Sequence, residues 1–264
     1  MAEVPEGFDL AALLAPISAE APAGADLRED ASPQSAYFRL RDARSDARAA
    51  ERAADAGGGE GGVPQEWRTI RELALDALAT QSKDIEIAAW LCEALLRLDR
   101  LAGLAAGFQL LAGIAENFWD VFFPAADEEG LAGRLAVIAG LNGMGREGTL
   151  IQPLRRITLF LRPDGAPFEF WQYEQSRELA GIGDAARRQQ RLDAGVVPFE
   201  TVESEARAAE PARFGSLRDT SAAAAAAWRA LGDILDARAG GEAPATGQVR
   251  DLLGQIRDAA EHWA

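Results

Sequence analysis

From Lys83 to Leu98 the chain places apolar residues on more than one side of a helix. Ile85, Ala88, Ala89, Cys92, Leu95 and Leu96 share one face at helical spacing, and Trp90 and Leu91 lie beside it. A single neighbouring helix cannot cover so wide an apolar surface, so this helix is expected at the centre of a multi-helix assembly. Its start reads from Gln81-Ser82-Lys83-Asp84-Ile85-Glu86. Ser82 is expected to cap the first amides, with Asp84 and Glu86 near the positive end of the helix dipole.

Helices that could cover this one lie on both sides of it in the sequence. Upstream, Trp67, Ile70, Leu73 or Ala74, Ala77 and Leu78 fall on one stripe. Downstream, Leu101 to Phe118 carries Leu104, Phe108, Leu111 and Ala115 with the parallel row Leu110, Ile114 and Phe118, and Gly103 and Gly107 permit close helix approach. A further helix is expected over Leu131 to Leu141. The short connections between these segments favour antiparallel neighbours.

Before them, a proline-containing arm leads into a polar helix over Pro33 to Arg52, and Gly57 to Gly62 reads as a mobile loop. Beyond Gly148, Ile157 to Leu161 has strand-like composition, and Leu161-Arg162-Pro163-Asp164-Gly165 supplies a turn. Helices are expected again over Phe168 to Asp193, Pro198 to Ala209, Asp219 to Arg238 and Thr246 to Trp263. The fold class expected is therefore all-α, an antiparallel multi-helix bundle or stacked helical hairpins, with at most one small β-hairpin near residues 157–170.

Charge and cysteine usage narrow the function classes. With 27 basic and 42 acidic residues the formal net charge is −15, which repels phosphate backbones and anionic lipid surfaces, so nucleic acid is not an expected partner. The local basic run Arg187-Arg188-Gln189-Gln190-Arg191 reads as a solvated helix face. Cys92 is the single cysteine, which excludes an internal disulfide. The first residues carry Glu3, Glu6 and Asp9 where a secretory signal would carry lysine or arginine, and no apolar run approaches a membrane span. A cytoplasmic location is expected, with no direct membrane insertion.

Catalytic and ligand-binding patterns are sparse. The single histidine, His262, would have to support a nucleophile from a terminal helix. Gly140 to Gly148 lacks the spacing of a dinucleotide loop and reads as a helix end and turn. The nearest approach to a site is acidic: Asp120, Asp127, Glu128 and Glu129 follow an aromatic cluster. Oxygen ligands in such a loop could serve a metal-dependent hydrolase, but the ligand order of a calcium hand is missing, and a solvated acidic loop is the simpler reading. No catalytic residue, metal site or cofactor is expected. Trp67, Trp90, Phe108, Phe118, Trp119, Phe122 and Phe123 sit at spacings that favour core packing, with room for an exposed anchor among them.

Taken in order, Pro22-Ala23-Gly24-Ala25-Asp26-Leu27, Trp67, Ser82-Lys83-Asp84 with Trp90-Leu91, Gly103-Leu104, Phe118-Trp119-Asp120 with Pro124, Arg134 and Leu141-Asn142-Gly143 form a pattern. That pattern resembles the N-terminal domain of the ImpA family, TssA-like components of bacterial type VI secretion, over roughly Pro16 to Phe160. The resemblance implies a non-catalytic assembly scaffold whose partners are baseplate, sheath or tube, or membrane-complex proteins. One helical domain over 1–264 is expected, made of an extended arm (1–32), a family-like core (33–163) and additional packed helices (164–264). The ring-forming C-terminal region of the family is expected to be absent, so ring formation is not carried over. The partner-facing residues expected are Asp26 and Leu27 on the arm and Trp119, Asp120, Asp127 and Glu128 after the third core helix.

Overall fold

The computed structural model describes residues 5–57, 62–126 and 130–264. After the short helix α1 (Leu10–Leu14), four longer helices build the first half of the fold: α2 (Ala36–Asp55), α3 (Glu66–Thr80), α4 (Ile85–Leu98) and α5 (Arg100–Asn117). Short helices α6 (Gly130–Arg134), α7 (Ala136–Asn142) and α8 (Ile151–Arg155) follow, then the strands β1 (Thr158–Leu161) and β2 (Pro167–Glu169). Helices α9 (Phe170–Ala180), α10 (Ala185–Asp193), α11 (Phe199–Ala208), α12 (Pro211–Ala239) and α13 (Gly247–Glu261) complete the chain. The fold is mostly α-helical with one small hairpin, as the apolar spacing and the turn at Pro163-Asp164-Gly165 predict.

Helix α4 is the centre. Every residue from Ile87 to Arg97 is buried, and the helix packs against α2, α3, α5, α7 and α8. The close approach of α5 depends on its glycines. A side chain at Gly107 would place its first carbon 2.7 Å from Cys92 Sγ, and one at Gly103 would meet the Leu95 carbonyl oxygen at 2.7 Å. The 29-residue α12 lies along α5, with Trp228 tilted against Phe108 at 4.6 Å between ring centroids, and α13 packs on α12. The hydrophobic core therefore runs without interruption from Phe8 to Ala259.

The hairpin pairs β1 and β2 antiparallel, with an irregularity between Thr158 and Phe160, and stacks Phe160 on Phe168. Several boundaries differ from expectation. The helix expected over Leu131 to Leu141 is two pieces, because Leu135 takes φ −98° and ψ 3° between α6 and α7. The one expected over Phe168 to Asp193 is divided: Phe168 belongs to β2, and the stretch from Gly181 to Gly183 separates α9 from α10. Helix α12 begins eight residues before the expected Asp219, with Pro211 at its first position, where the missing amide costs nothing. Of the glycine loop, residues 58–61 lie outside the described residues.

Candidate partner-binding surfaces

The segment Gln81 to Ile85 forms the junction of the first half of the fold. Its backbone pairs with two separate pieces of chain. Ala25 N donates to the Gln81 carbonyl oxygen and Lys83 N to that of Ala23, while Phe123 N donates to the Lys83 carbonyl oxygen and Ile85 N to that of Phe123. The arm and the turn after α5 are thus tied to the start of α4. Gly24 must be glycine here, since it sits at φ +76° and a side chain would run into the Gln81 carbonyl oxygen.

Asp84, not Ser82, caps α4. Its Oδ1 accepts from Glu86 N at 2.8 Å and Ile87 N at 3.2 Å. Ser82 is instead drawn into a bridge with Gly24, and its hydroxyl is buried without a partner among the described residues. Local chemistry allowed either cap; the long-range backbone pairing settled the choice.

Lys83, the single lysine of the chain, has no exposed surface. Its Nζ donates to the Leu13 carbonyl oxygen at 2.8 Å and the Leu78 carbonyl oxygen at 2.6 Å, joining α1 to the end of α3. Among the described residues no carboxylate pairs with it, and burial pushes its pKa down from the usual lysine value to about 8.

The arm residues expected to face a partner are largely engaged within the protein. Asp26 Oδ1 accepts from the backbone and side chain of Arg28, and Leu27 packs against the core. Arg28 also donates to Asp84 at 2.6 Å and Glu86 at 2.6 Å and lies over the Tyr37 ring at 4.4 Å. Tyr37 in turn donates to Glu86 at 3.0 Å. This cluster fastens the arm to α2 and α4.

The turn after α5 offers more surface. Phe118 and Phe122 belong to the core, Trp119 is half-buried edge-on to Phe122, Asp120 is exposed, and Val121 is 48% exposed. Arg134 holds the turn from beneath: Nε donates to the Pro124 carbonyl oxygen at 2.9 Å, Nη2 to that of Phe122 at 2.6 Å, and the guanidinium stacks 3.6 Å over the Phe122 ring. Burial lowers the Arg134 pKa, and Asp120 counteracts it. Asp127, Glu128 and Glu129 lie outside the described residues, so the expected acidic surface is seen only at Asp120. Among the described residues, no three His, Cys, Asp or Glu side chains gather as a metal would require.

A second polar layer, which the sequence reading missed, lies between α2 and α4. Glu93 is fully buried and accepts twice from Arg44, and Glu51 accepts from Arg97 at 2.5 and 3.0 Å and from Trp67 Nε1 at 2.8 Å. Burial alone would raise the Glu93 carboxyl, but Arg44 outweighs it and holds the carboxyl below its usual range. The only signal in the sequence is the helical spacing of Arg44, Arg48, Glu51 and Arg52 on a helix that otherwise reads as polar and solvated. The basic run 187–191 does lie on an exposed helix, where Arg187 and Arg191 pair with Glu178.

The class that these features define is a mostly α-helical domain organised around a buried helix and braced by arginine–carboxylate layers. Comparison with known proteins gives that class a family. Residues 14–143 match the family described as ImpA, N-terminal, type VI secretion system. The type VI secretion system component TssA1 of Pseudomonas aeruginosa is 32% identical over 125 residues, covering 46% of this chain and 33% of that relative. The solved N-terminal domain of the TssA component from Burkholderia cenocepacia, which includes the ImpA N-terminal region, superposes with a TM-score of 0.76. It is 27% identical, and the match covers 99% of this chain and 97% of that one. Residues 14–143 therefore form an ImpA N-terminal region like that of TssA-like type VI secretion components, and the fold of the chain as a whole is similar to that of a TssA N-terminal domain.

Proposed function

We propose that the chain is a non-catalytic assembly module of type VI secretion, acting in the cytoplasm by binding baseplate, sheath or tube, or membrane-complex proteins. The observation that carries this reading is the near-complete structural match to the N-terminal domain of a TssA component, 99% of one chain on 97% of the other. Among the described residues no helix is long and apolar enough to cross a membrane.

Trp119 and Asp120 are the proposed contact residues. A half-buried aromatic beside an exposed carboxylate, on a turn whose backbone Arg134 fixes, loses little entropy when a partner covers it. Asp26 and Leu27 act instead by holding the arm.

The test immobilises the purified chain and passes individually purified baseplate, sheath, tube and membrane-complex proteins over it. At least one should bind above an unrelated acidic helical protein. Trp119→Ala and Asp120→Ala should weaken capture about tenfold with helicity intact, whereas Asp26→Ala should lower thermal stability first. Failure of every component to bind would end the assembly reading for this part of the protein.

A further inference from the structure

A groove of about 640 Å³ opens between the end of α2, the end of α4 and the segment leading into α8, and its charged lining holds five arginines and four carboxylates. Arg97 and Arg156 are neutralised there by Glu51 and Asp55. Arg48 and Arg52 are not, for neither makes a hydrogen bond or contact ion pair with the described residues. A second groove of about 520 Å³ adjoins the first and shares Arg48, Glu147 and Thr149 with it. Arg146 lies there, also without an ion-pair partner among the described residues, beside Trp90, Val137 and the 73% exposed Met144.

Two features set this region apart from an ordinary solvated basic face. Cations are crowded in a chain of net charge −15, and burial together with the neighbouring Arg44, Arg97 and Arg52 makes the Arg48 charge harder to hold, with only Glu93 opposing. The lining is also mixed. Val63, Pro64, Leu96 and Pro153 give the first groove apolar walls, and Glu147 and Glu169 interrupt the positive surface. A dense phosphodiester or polyphosphate would meet those carboxylates and the negative long-range field of the whole molecule. An extended peptide with spaced carboxylates and apolar residues would place its charges on the free guanidiniums and its side chains on the walls.

We propose that the paired grooves are the docking surface for an acidic, partly apolar segment of a partner protein, read by Arg48, Arg52 and Arg146. The identity of that partner as a secretion component rests on the assembly reading above; the binding chemistry does not.

The experiment measures fluorescence anisotropy of a fluorescein-labelled synthetic peptide, glutamate pairs alternating with leucine, titrated with the purified chain. Saturable binding is expected, falling steeply as salt rises from about 50 to about 300 mM. The double variant Arg48→Gln/Arg52→Gln should weaken it at least tenfold with unchanged circular dichroism, and Arg146→Gln severalfold. Arg188→Gln, on the exposed α10, should leave it unaffected. No saturable binding, or equal binding by the double variant, overturns the proposal. Tighter binding of polyphosphate than of the peptide also overturns it, as does self-association in sedimentation that the double variant abolishes, which would make a second copy the occupant. Capture of secretion components undiminished in the double variant refutes the groove and leaves the assembly reading standing; peptide binding with no component captured does the reverse.

Discussion

At the scale of single residues, the fold depends on ionic groups placed where water does not reach. Lys83 illustrates the cost. Below pH 8 both the folded and the unfolded chain carry its charge, and the burial penalty acts in full. Between about 8 and the usual lysine value the unfolded chain keeps a proton that the folded chain has shed, so the stability contributed at this site rises with pH. Lys83→Met should remove that rise. Urea unfolding of the natural protein and the variant from pH 7 to pH 10 should give a stability difference that moves by on the order of 2 kcal/mol in favour of the natural protein. A flat difference would mean that the ammonium is not desolvated. This role was hidden in the sequence because a lysine at a helix start reads as an exposed cation, and its two carbonyl partners lie 70 and 5 positions away. Arg44 and Glu93, 49 positions apart, were hidden for the same reason.

At the scale of elements, α4 was the most legible feature, since its apolar width admits no solvent-facing side, and the burial of every residue from Ile87 to Arg97 matches that. The glycines of α5 were legible only as permissive; the structure makes Gly103 and Gly107 requirements. Gly107→Ala gains about 1 kcal/mol of helix propensity, yet the added methyl must displace Cys92, and overpacking of this kind typically costs about 1–3 kcal/mol. A net loss of stability is expected. Gly215→Ala in α12, where an added methyl meets nothing within 4 Å, should instead stabilise by about 0.5–1 kcal/mol. Paired thermal melts check both, and a stabilising Gly107→Ala would show that α4 and α5 are not in firm contact. Between α6 and α7 Leu135 itself tolerates helix, so the sequence carried no stop there, whereas Gly181, Gly183 and the Asp184 cap are a local stop and start that the expected continuous helix passed over.

Across the whole molecule, the family match stops at residue 143 but the packing does not. Asn142 Oδ1, 1% exposed, accepts from Val249 N at 3.0 Å and so satisfies one of the first amides of α13, more than a hundred residues downstream. Trp228 of α12 closes the other face of α5 and donates to the Thr246 carbonyl oxygen at 2.8 Å. We therefore expect residues 1–264 to act as one folding unit. A fragment ending at residue 143 should show broad, non-cooperative melting, where the full chain gives a single sharp transition. A cooperative fragment would instead make the later helices an independent layer. The setting of the proposed contact residues was the least legible part of the sequence, since half-burial at Trp119 and engagement at Asp26 both depend on how the surrounding chain packs. Because the chain's single lysine is consumed inside the fold, its exterior offers guanidinium groups but no lysine amine. Amine-directed crosslinkers and acylating reagents should therefore find no lysine on the native surface, and acylation at Lys83 would report that the junction beneath α4 has opened.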